Sequence, residues 1–123
     1  MVDMDDVRRI ALSLPDITGD DNGTAFGLGK TGIAWPYPER VHPKRARVPR
    51  LDIFVVRVAD EDDKQALLQG EPEIFFTTDH YDGYPAVMVR LAKIDNVRLT
   101  ELLTDAHTAA LTRKPRKRTR RSQ

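Results

Sequence analysis

The stretch EIFFTTDHYDGYPAVMVRL, residues 73–91, predicts how this chain folds. Two runs, Glu73 to Thr77 and Ala86 to Leu91, are rich in the aromatic and β-branched residues that favour strands. Between them, residues 80–85 combine aspartate, glycine and proline, which are typical of turns. Because strands joined by a short connection pair antiparallel, the stretch predicts a sheet that is mostly antiparallel.

The residues before that stretch predict a central strand followed by a short helix. Leu51 to Ala59 is apolar at all but two positions, which indicates a strand buried deep in the sheet. Asp60 is placed to cap a helix that includes residues 67–69 and ends at Gly70.

Both ends of the predicted core are helical. A first helix follows Asp3, a suitable N-cap, and ends before Pro15; its apolar positions are Met4, Val7, Ile10, Ala11 and Leu14. Asp95 is placed to cap the last helix, and the predicted core ends near Leu111. The apolar stripe predicted for that helix consists of Val97, Leu102, Leu103, Ala106, Ala109 and Ala110.

Between the first helix and the central strand, the sequence predicts two loops and a hairpin. Residues 16–24 are turn formers and indicate a loop. Ala25 to Leu28 and Gly32 to Trp35 are predicted to be two strands of a hairpin. Residues 36–50 contain four prolines, which cannot donate to a sheet ladder, and are therefore predicted to form an exposed loop.

The residue inventory excludes several classes of protein. The 123 residues include no cysteine, which excludes disulfides, Cys-containing zinc sites, iron–sulfur ligation and thiol catalysis. No stretch approaches the roughly 20 apolar residues of a membrane span, and the N-terminus lacks the apolar run of a signal peptide. We therefore expect a cytoplasmic protein, monomeric and without membrane contact.

The formal net charge of +1 hides an uneven distribution. Residues 1–112 contain 13 Lys and Arg against 19 Asp and Glu, a net charge of −6, whereas residues 113–123 carry +7. We interpret 1–112 as an α+β domain and 113–123 as a disordered basic tail. Such a division of charge is typical of proteins with a nucleic-acid or other anionic partner.

The segment from Phe75 to Leu91 resembles the signature of the MmcQ/YjbR family. The order of elements is also similar, with VRRIALSLP at residues 7–15 on an opening helix and LLTDA at 102–106 on a closing one. This resemblance implies a single compact α+β domain with a curved, mostly antiparallel sheet packed against the N- and C-terminal helices, as in the frataxin-like fold. Members of the family are commonly described as DNA-binding, by inference from fold.

Two groups of cations are the candidate nucleic-acid-binding residues. Releasing counterions from phosphates drives non-specific affinity, so many cations count for more than exact geometry. The tail supplies Arg113, Lys114, Arg116, Lys117, Arg118, Arg120 and Arg121. The proline-rich segment supplies Arg40, Lys44, Arg45, Arg47 and Arg50, with Trp35 and Tyr37 beside it as stacking groups.

These groups also have simpler interpretations. The alternative interpretation of the tail is a solvated, disordered segment that only aids solubility, although binding is favoured. RNA, anionic lipid or an acidic protein would attract the same cations. Trp35 is as well placed to anchor a strand in the core, with the nearby arginines paired to carboxylates of the domain. The alternative function is an interaction module that binds a protein or small ligand through its sheet, with the tail as an accessory.

Enzymatic motifs are weak throughout the sequence. Residues 24–31, TAFGLGKT, resemble the end of a phosphate-binding P-loop, but the first glycine is displaced and a strand is predicted where a helix is needed. His80 and Asp82 lie in a predicted tight turn, where Asp82 and Gly83 supply the bend while Tyr81 and Tyr84 pack. The acidic residues 60–63 suit a helix N-terminus. We therefore expect a non-enzymatic binding protein without a catalytic residue, metal or cofactor.

Overall fold

The computed structural model describes residues 2–21, 23–39, 44 and 48–112. The helices are α1 (Met4–Ser13), α2 (Glu61–Gly70) and α3 (Asn96–Thr112), with short 3-10 helices at Asp79–Tyr81 and Leu91–Lys93. The strands are β1 (Ile17–Gly19), β2 (Phe26–Leu28), β3 (Thr31–Glu39), β4 (Val48–Arg57), β5 (Phe75–Phe76) and β6 (Ala86–Arg90).

The strands form one open, curved sheet in the order β1-β2-β3-β4-β6-β5. Every neighbouring pair is antiparallel, which confirms the predicted α+β class with its antiparallel sheet. β4 lies inside the sheet between β3 and β6, and its residues 54–56 are at most 1% exposed. The prediction of a buried central strand is therefore confirmed.

Capping side chains set the starts of the helices, as predicted. The Asp3 carboxylate accepts a hydrogen bond from the backbone N–H of Asp6, and the Asp6 carboxylate accepts one from the N–H of Asp3. Asp60 and Asp95 each accept from the N–H three residues further on, at the starts of α2 and α3. These bonds satisfy donors that the first helical turn leaves unpaired.

The main core lies on the face of the sheet against which α1 and α3 pack. The sheet contributes Ile33, Ala34, Phe54, Val56, Phe75, Val87 and Val89, and the two helices contribute Val7, Ile10, Ala11, Leu99, Leu102, Leu103, Ala106 and Ala110. A bulge in β3 helps to define this face. Phe26 pairs with Ala34 and Gly27 with Gly32, so Ile33 is an extra residue and the alternation of the strand restarts after it.

The predicted apolar stripe of α3 is wrong at its first position. Val97 is 72% exposed, whereas Leu99, which was not predicted, is 1% exposed. At about 100° per residue, Val97 lies about 140° around the helix from Leu102, and Leu99 lies about 60° from it. The helix therefore buries the leucine.

Two strand boundaries also differ from prediction. Residues 17–19, predicted to be loop, form β1, because Ile17 is buried and pairs with Leu28 at the edge of the sheet. The strand predicted from Glu73 is shortened to Phe75–Phe76. The backbone N–H groups of Ile74 and Phe75 donate to the carbonyl of Glu71, so a turn continues from α2 in place of the first strand residues.

The prediction of one exposed loop over residues 36–50 is wrong at both ends. Residues 36–39 belong to β3 and residues 48–50 to β4, where Pro38 pairs with Pro49. In the described part of the chain, residues 37–39 and 48–50 pair only with each other, as a two-stranded ribbon. Each strand of such a ribbon has one edge that is not paired with another strand. A proline is tolerated when the side of its backbone that lacks an N–H group faces this edge.

Candidate nucleic-acid interface

Most of the predicted nucleic-acid-binding cations lie outside the described residues. This applies to all seven tail cations, which follow residue 112, and to Arg40, Arg45 and Arg47. Lys44 is exposed, and Arg50 belongs to β4, where its backbone lies opposite Tyr37. Of the predicted cations, the structure thus locates Lys44 and the backbone of Arg50, which lies opposite one of the two predicted stacking residues.

The face of the sheet opposite α1 and α3 carries a second apolar cluster, which we call the aromatic face. Its buried members are Val55, Tyr81, Ala86 and Met88, and its half-buried members are Trp35, Tyr37, Ile53 and Phe76. The buried apolar residues of α1 and α3 all belong to the other cluster. Both predicted stacking residues, Trp35 and Tyr37, thus lie on the aromatic face and keep part of their surface.

Trp35 is held in place on the aromatic face by a hydrogen bond and a glycine. Its indole Nε1 donates to the hydroxyl of Tyr81 at 3.1 Å. A Cβ atom at Gly32 would lie 3.1 Å from the Trp35 ring, so the absence of a side chain there lets the ring lie close to β3. The indole therefore anchors β3 to the segment that carries Tyr81.

The segment 78–85 has the structural role that its sequence predicts. Gly83 has a φ of 78°, a backbone conformation that glycine adopts without steric cost. The rings of Tyr81 and Tyr84 meet edge to face, with centroids 5.8 Å apart. The prediction of a glycine bend with packed tyrosines is confirmed, while the side chain of His80 lies outside the described atoms.

A buried lysine fastens this segment to α2. Lys64 is 1% exposed, and its Nζ donates to the backbone carbonyls of Tyr81 at 2.7 Å and Tyr84 at 2.8 Å. Hydrogen bonds from a charged ammonium group to carbonyl oxygens are stronger than those from a neutral donor. Sequence analysis missed this residue, since a lysine in a charged helix is normally exposed.

Arg57 makes a similar structural contact from β4. It is 8% exposed, and its Nε donates to the carbonyl of Gly32 at 2.7 Å. One Nη donates to the hydroxyl of Tyr84 at 3.1 Å, and the guanidinium lies 5.7 Å from the centroid of that ring. Arg57 is therefore engaged within the domain.

Arg90 adds a cation to the aromatic face. Its guanidinium carbon lies 4.3 Å from the centroid of the Phe76 ring, a cation–π arrangement. One Nη donates to the carbonyl of Pro72 at 3.2 Å. The side chain is half-buried, so part of its surface stays available on this side of the sheet.

A cleft of about 440 Å³ opens between α2 and α3, and we call it the helix cleft. Val58, Leu67 and Leu102 supply apolar lining, and Leu102 is 3% exposed. Asp63 on α2 and Asp105 on α3 are exposed carboxylates at its two walls. The cleft therefore combines apolar and acidic surface.

Arg98, which also lines the helix cleft, forms ion pairs with two carboxylates. Arg98 donates to both carboxylate oxygens of Glu71, at 2.6 and 3.1 Å, and to Glu101 at 3.3 Å. The hydrogen bonds to Glu71 raise the pKa of Arg98 above its usual value. Arg98 and Glu71 are 27 residues apart, so no local pattern could have predicted the pair. The positive charge of Arg98 is thus neutralised by the neighbouring carboxylates of Glu71 and Glu101.

The weak enzymatic motifs meet no supporting structure in the described residues. Residues 31–39 after the P-loop-like segment form a strand, as predicted, and not the helix that a phosphate site requires. Nowhere in the described ranges do three or more His, Asp or Glu side chains come close enough to hold a metal ion. Among the described helices, none is both long and apolar enough to cross a membrane.

Comparison with known proteins finds relatives in mycobacteria. The chain is 43% identical over 112 residues to Uncharacterized protein Rv2570 and Uncharacterized protein MT2646 of Mycobacterium tuberculosis and to Uncharacterized protein Mb2600 of Mycobacterium bovis. In each case the match covers 86% of this chain and 86% of the relative. The chain belongs to the family of these mycobacterial proteins.

The other comparisons add no further relative. No family model matches the chain, and no solved structure matches it. The resemblance of residues 75–91 to the MmcQ/YjbR signature therefore stays a prediction. The names of the mycobacterial relatives state no activity, so the function of this family has to be inferred from its chemistry.

Proposed function

We propose that this protein binds DNA with little sequence preference and that its basic tail makes most of the phosphate contacts. The observation that carries the proposal is the separation of charge along the chain. Residues 1–112 have six more carboxylates than Lys and Arg side chains, whereas residues 113–123 contain seven cations and no carboxylate. A polyphosphate is attracted by the tail and repelled by most of the domain.

The chemistry of the tail suits phosphate better than it suits a single carboxylate partner. Five of its seven cations are arginines, whose planar guanidinium donates two parallel hydrogen bonds to a phosphate. Each neutralised phosphate releases condensed counterions, and this release supplies the free energy of non-specific binding. Nothing in this mechanism requires base-edge contacts, so we expect similar affinities for unrelated duplexes.

The ribbon supports a second point of contact on the domain. Of the five cations predicted there, Arg40, Lys44, Arg45 and Arg47 fall between the end of β3 at Glu39 and the start of β4 at Val48. Because the rest of the domain is acidic, we propose that DNA approaches at this end of the sheet. The MmcQ/YjbR resemblance favours the same function. The proposed partner is DNA, and the proposed location of the protein is the cytoplasm.

Titration of a fluorescently labelled duplex tests the proposal. A full-length variant with all seven tail cations replaced by glutamine should bind far more weakly than the wild type. Two further variants provide the control. One replaces Lys30 and Lys93, two exposed cations of the domain, by glutamine, and the other replaces Lys114 and Lys117 of the tail, so that both lose two lysines. The domain variant should bind almost as well as the wild type and more tightly than the variant that loses two tail lysines. If the tail variant and the wild type bind equally well, the tail has no role in DNA binding.

The aromatic face favours a second candidate, an interaction module that binds another protein. Trp35, Tyr37, Ile53 and Phe76 keep exposed apolar surface around a buried centre, the arrangement of many protein-binding patches. A partner bound there should be captured equally by the wild type and the tail variant, even at about 0.5 M salt, where charge attraction is largely screened. Tyr37→Ser should release it without lowering the melting temperature appreciably. A partner released by salt, or retained by Tyr37→Ser, would count against this candidate.

A further inference from the structure

The helix cleft lies beside the last turns of α3, where the basic tail begins. Its lining contains two aspartates, Asp63 and Asp105, and two arginines, Arg57 and Arg98. Arg57 is 8% exposed and donates to the Gly32 carbonyl and the Tyr84 hydroxyl, and Arg98 is paired with Glu71 and Glu101. The charges that the cleft leaves exposed to a ligand are therefore those of the two aspartates.

Two carboxylates line the helix cleft, one from each helix. Asp63 on α2 and Asp105 on α3 are exposed, and neither makes a side-chain hydrogen bond or ion pair within the described residues. The half-buried Leu67 and Ala109 add apolar surface to the cleft, which suits the methylene stems of long cationic side chains. The chemistry that fits this cleft is a short segment rich in Arg and Lys.

We propose that the occupant is the chain's own basic tail, residues 113–123, docked between α2 and α3. The tail follows directly on α3, whose last turns line the cleft through Asp105 and Ala109. Seven helical residues separate Asp105 from Thr112, a rise of about 10 Å. Eleven residues can extend to about 36 Å, so the tail cations reach back along α3 and across to Asp63.

Covalent attachment makes this docking effective even if each contact is weak. A segment on a short tether experiences an effective concentration in roughly the millimolar range, so an interaction with a dissociation constant of about 1 mM is already half-formed. Exposed ion pairs are individually weak and are screened beyond about 8 Å at physiological salt. Docking therefore depends steeply on ionic strength and is reversible.

Docking gives the tail two competing polyanionic partners, the domain and DNA. This consequence rests on the proposed DNA binding, whereas the docking itself does not. While the tail cations are paired with the cleft, they are unavailable to phosphates, so the cleft acts as a built-in competitor. Replacing the carboxylates of the cleft by neutral side chains should therefore increase the affinity for DNA, although the cleft itself does not contact DNA in this proposal.

A paramagnetic label tests the docking without any DNA. The chain has no cysteine, so Ser122→Cys provides a single attachment point for a nitroxide on the full-length protein. At about 20 mM salt the label should strongly broaden the amide NMR signals of Asp63 and Leu67 on α2, and about 0.5 M salt should abolish the effect. Asp63→Asn with Asp105→Asn should reduce the broadening, as measured at Leu67.

Matched variants and mixed samples complete this test. Asp21→Asn with Glu73→Gln removes the same charge from exposed positions outside the cleft and should leave the broadening at Leu67 unchanged. Three results would overturn the docking. One is that Leu67 shows no broadening at low salt, and another is that the broadening persists in the variant with Asp63→Asn and Asp105→Asn. The third is broadening that appears only between isotope-labelled and nitroxide-labelled copies, because the tail would then bind a second chain.

Duplex titration separates the competition from the docking. The apparent dissociation constant for DNA is the intrinsic one divided by the fraction of tail that is free, so a half-docked tail corresponds to a factor of about two and a tail docked nine-tenths of the time to about ten. Asp63→Asn with Asp105→Asn should therefore tighten DNA binding by a factor in this range relative to Asp21→Asn with Glu73→Gln. Equal affinities of the two double variants would overturn the competition. Label broadening in a protein that does not bind DNA would support the docking and contradict the proposed function.

Discussion

Replacing Lys64 by methionine should lower the free energy of unfolding by about 2 to 3 kcal/mol, because two carbonyls would lose their charged donor. The Nζ atom lies 2.7 Å and 2.8 Å from the carbonyl oxygens of Tyr81 and Tyr84. Both carbonyls keep a backbone partner, since Tyr81 also accepts from the N–H of Tyr84 and Tyr84 accepts from the N–H of Ala86. The loss is therefore that of two hydrogen bonds from a charged donor, each worth about 1.5–3 kcal/mol. Methionine keeps the apolar stem, and removing a buried charge recovers part of the loss, so the net effect is below the sum of two full penalties.

Guanidinium unfolding of the Lys64→Met and Lys93→Met variants measures this effect. Lys93 is exposed, so its replacement should change the stability by less than about 0.5 kcal/mol. Trp35 is the single tryptophan, and its indole donates to the Tyr81 hydroxyl, so its fluorescence reports on the same segment. A Lys64→Met variant as stable as Lys93→Met would show that the buried ammonium does not fasten residues 78–85.

Elements specified by neighbouring residues could be predicted from the sequence. The caps Asp3, Asp60 and Asp95 act on N–H groups within three residues, so the sequence alone indicates where the helices begin. The hairpin of β2 and β3 and the buried strand β4 were likewise predicted from local composition. In each case the physical cause lies inside a short window of sequence.

Features that depend on distant partners could not be predicted. The strand β1 exists because Ile17 pairs with Leu28, and the prolines of the ribbon are tolerated because Pro38 and Pro49 lie in a two-stranded part of the sheet. Lys64 is buried by a segment about 20 residues further along the chain. Helical periodicity and composition carry no signal for such contacts.

The sequence identified which residue types belong to the candidate site, but it carries little information on how they are arranged in space. The sequence identified the two groups of cations, most of which lie outside the described residues, and the structure places Trp35 and Tyr37 on the aromatic face. The helix cleft was not predicted, because Asp63 and Asp105 are 42 residues apart in the sequence, on helices that come together only in the folded chain. The acidic character of α2 was interpreted only as a favourable helix start.

Removing the tail charges should have the largest effect on binding. Seven phosphate contacts contribute a slope of about −6 to the logarithm of the association constant plotted against the logarithm of salt concentration. Over the range from about 50 to 200 mM salt, such a slope corresponds to a loss of affinity on the order of a thousandfold or more. The contribution disappears when the tail cations become glutamine, while any contribution of residues 40–50 remains.

The most direct test is therefore to measure this slope for one labelled duplex with the wild-type protein and with the variant in which all seven tail cations are glutamine. We expect the wild-type slope to be steeper by about six, because that difference counts the phosphates that the tail neutralises. Two parallel lines would contradict the account, since DNA would then bind without help from the cations that motivate it.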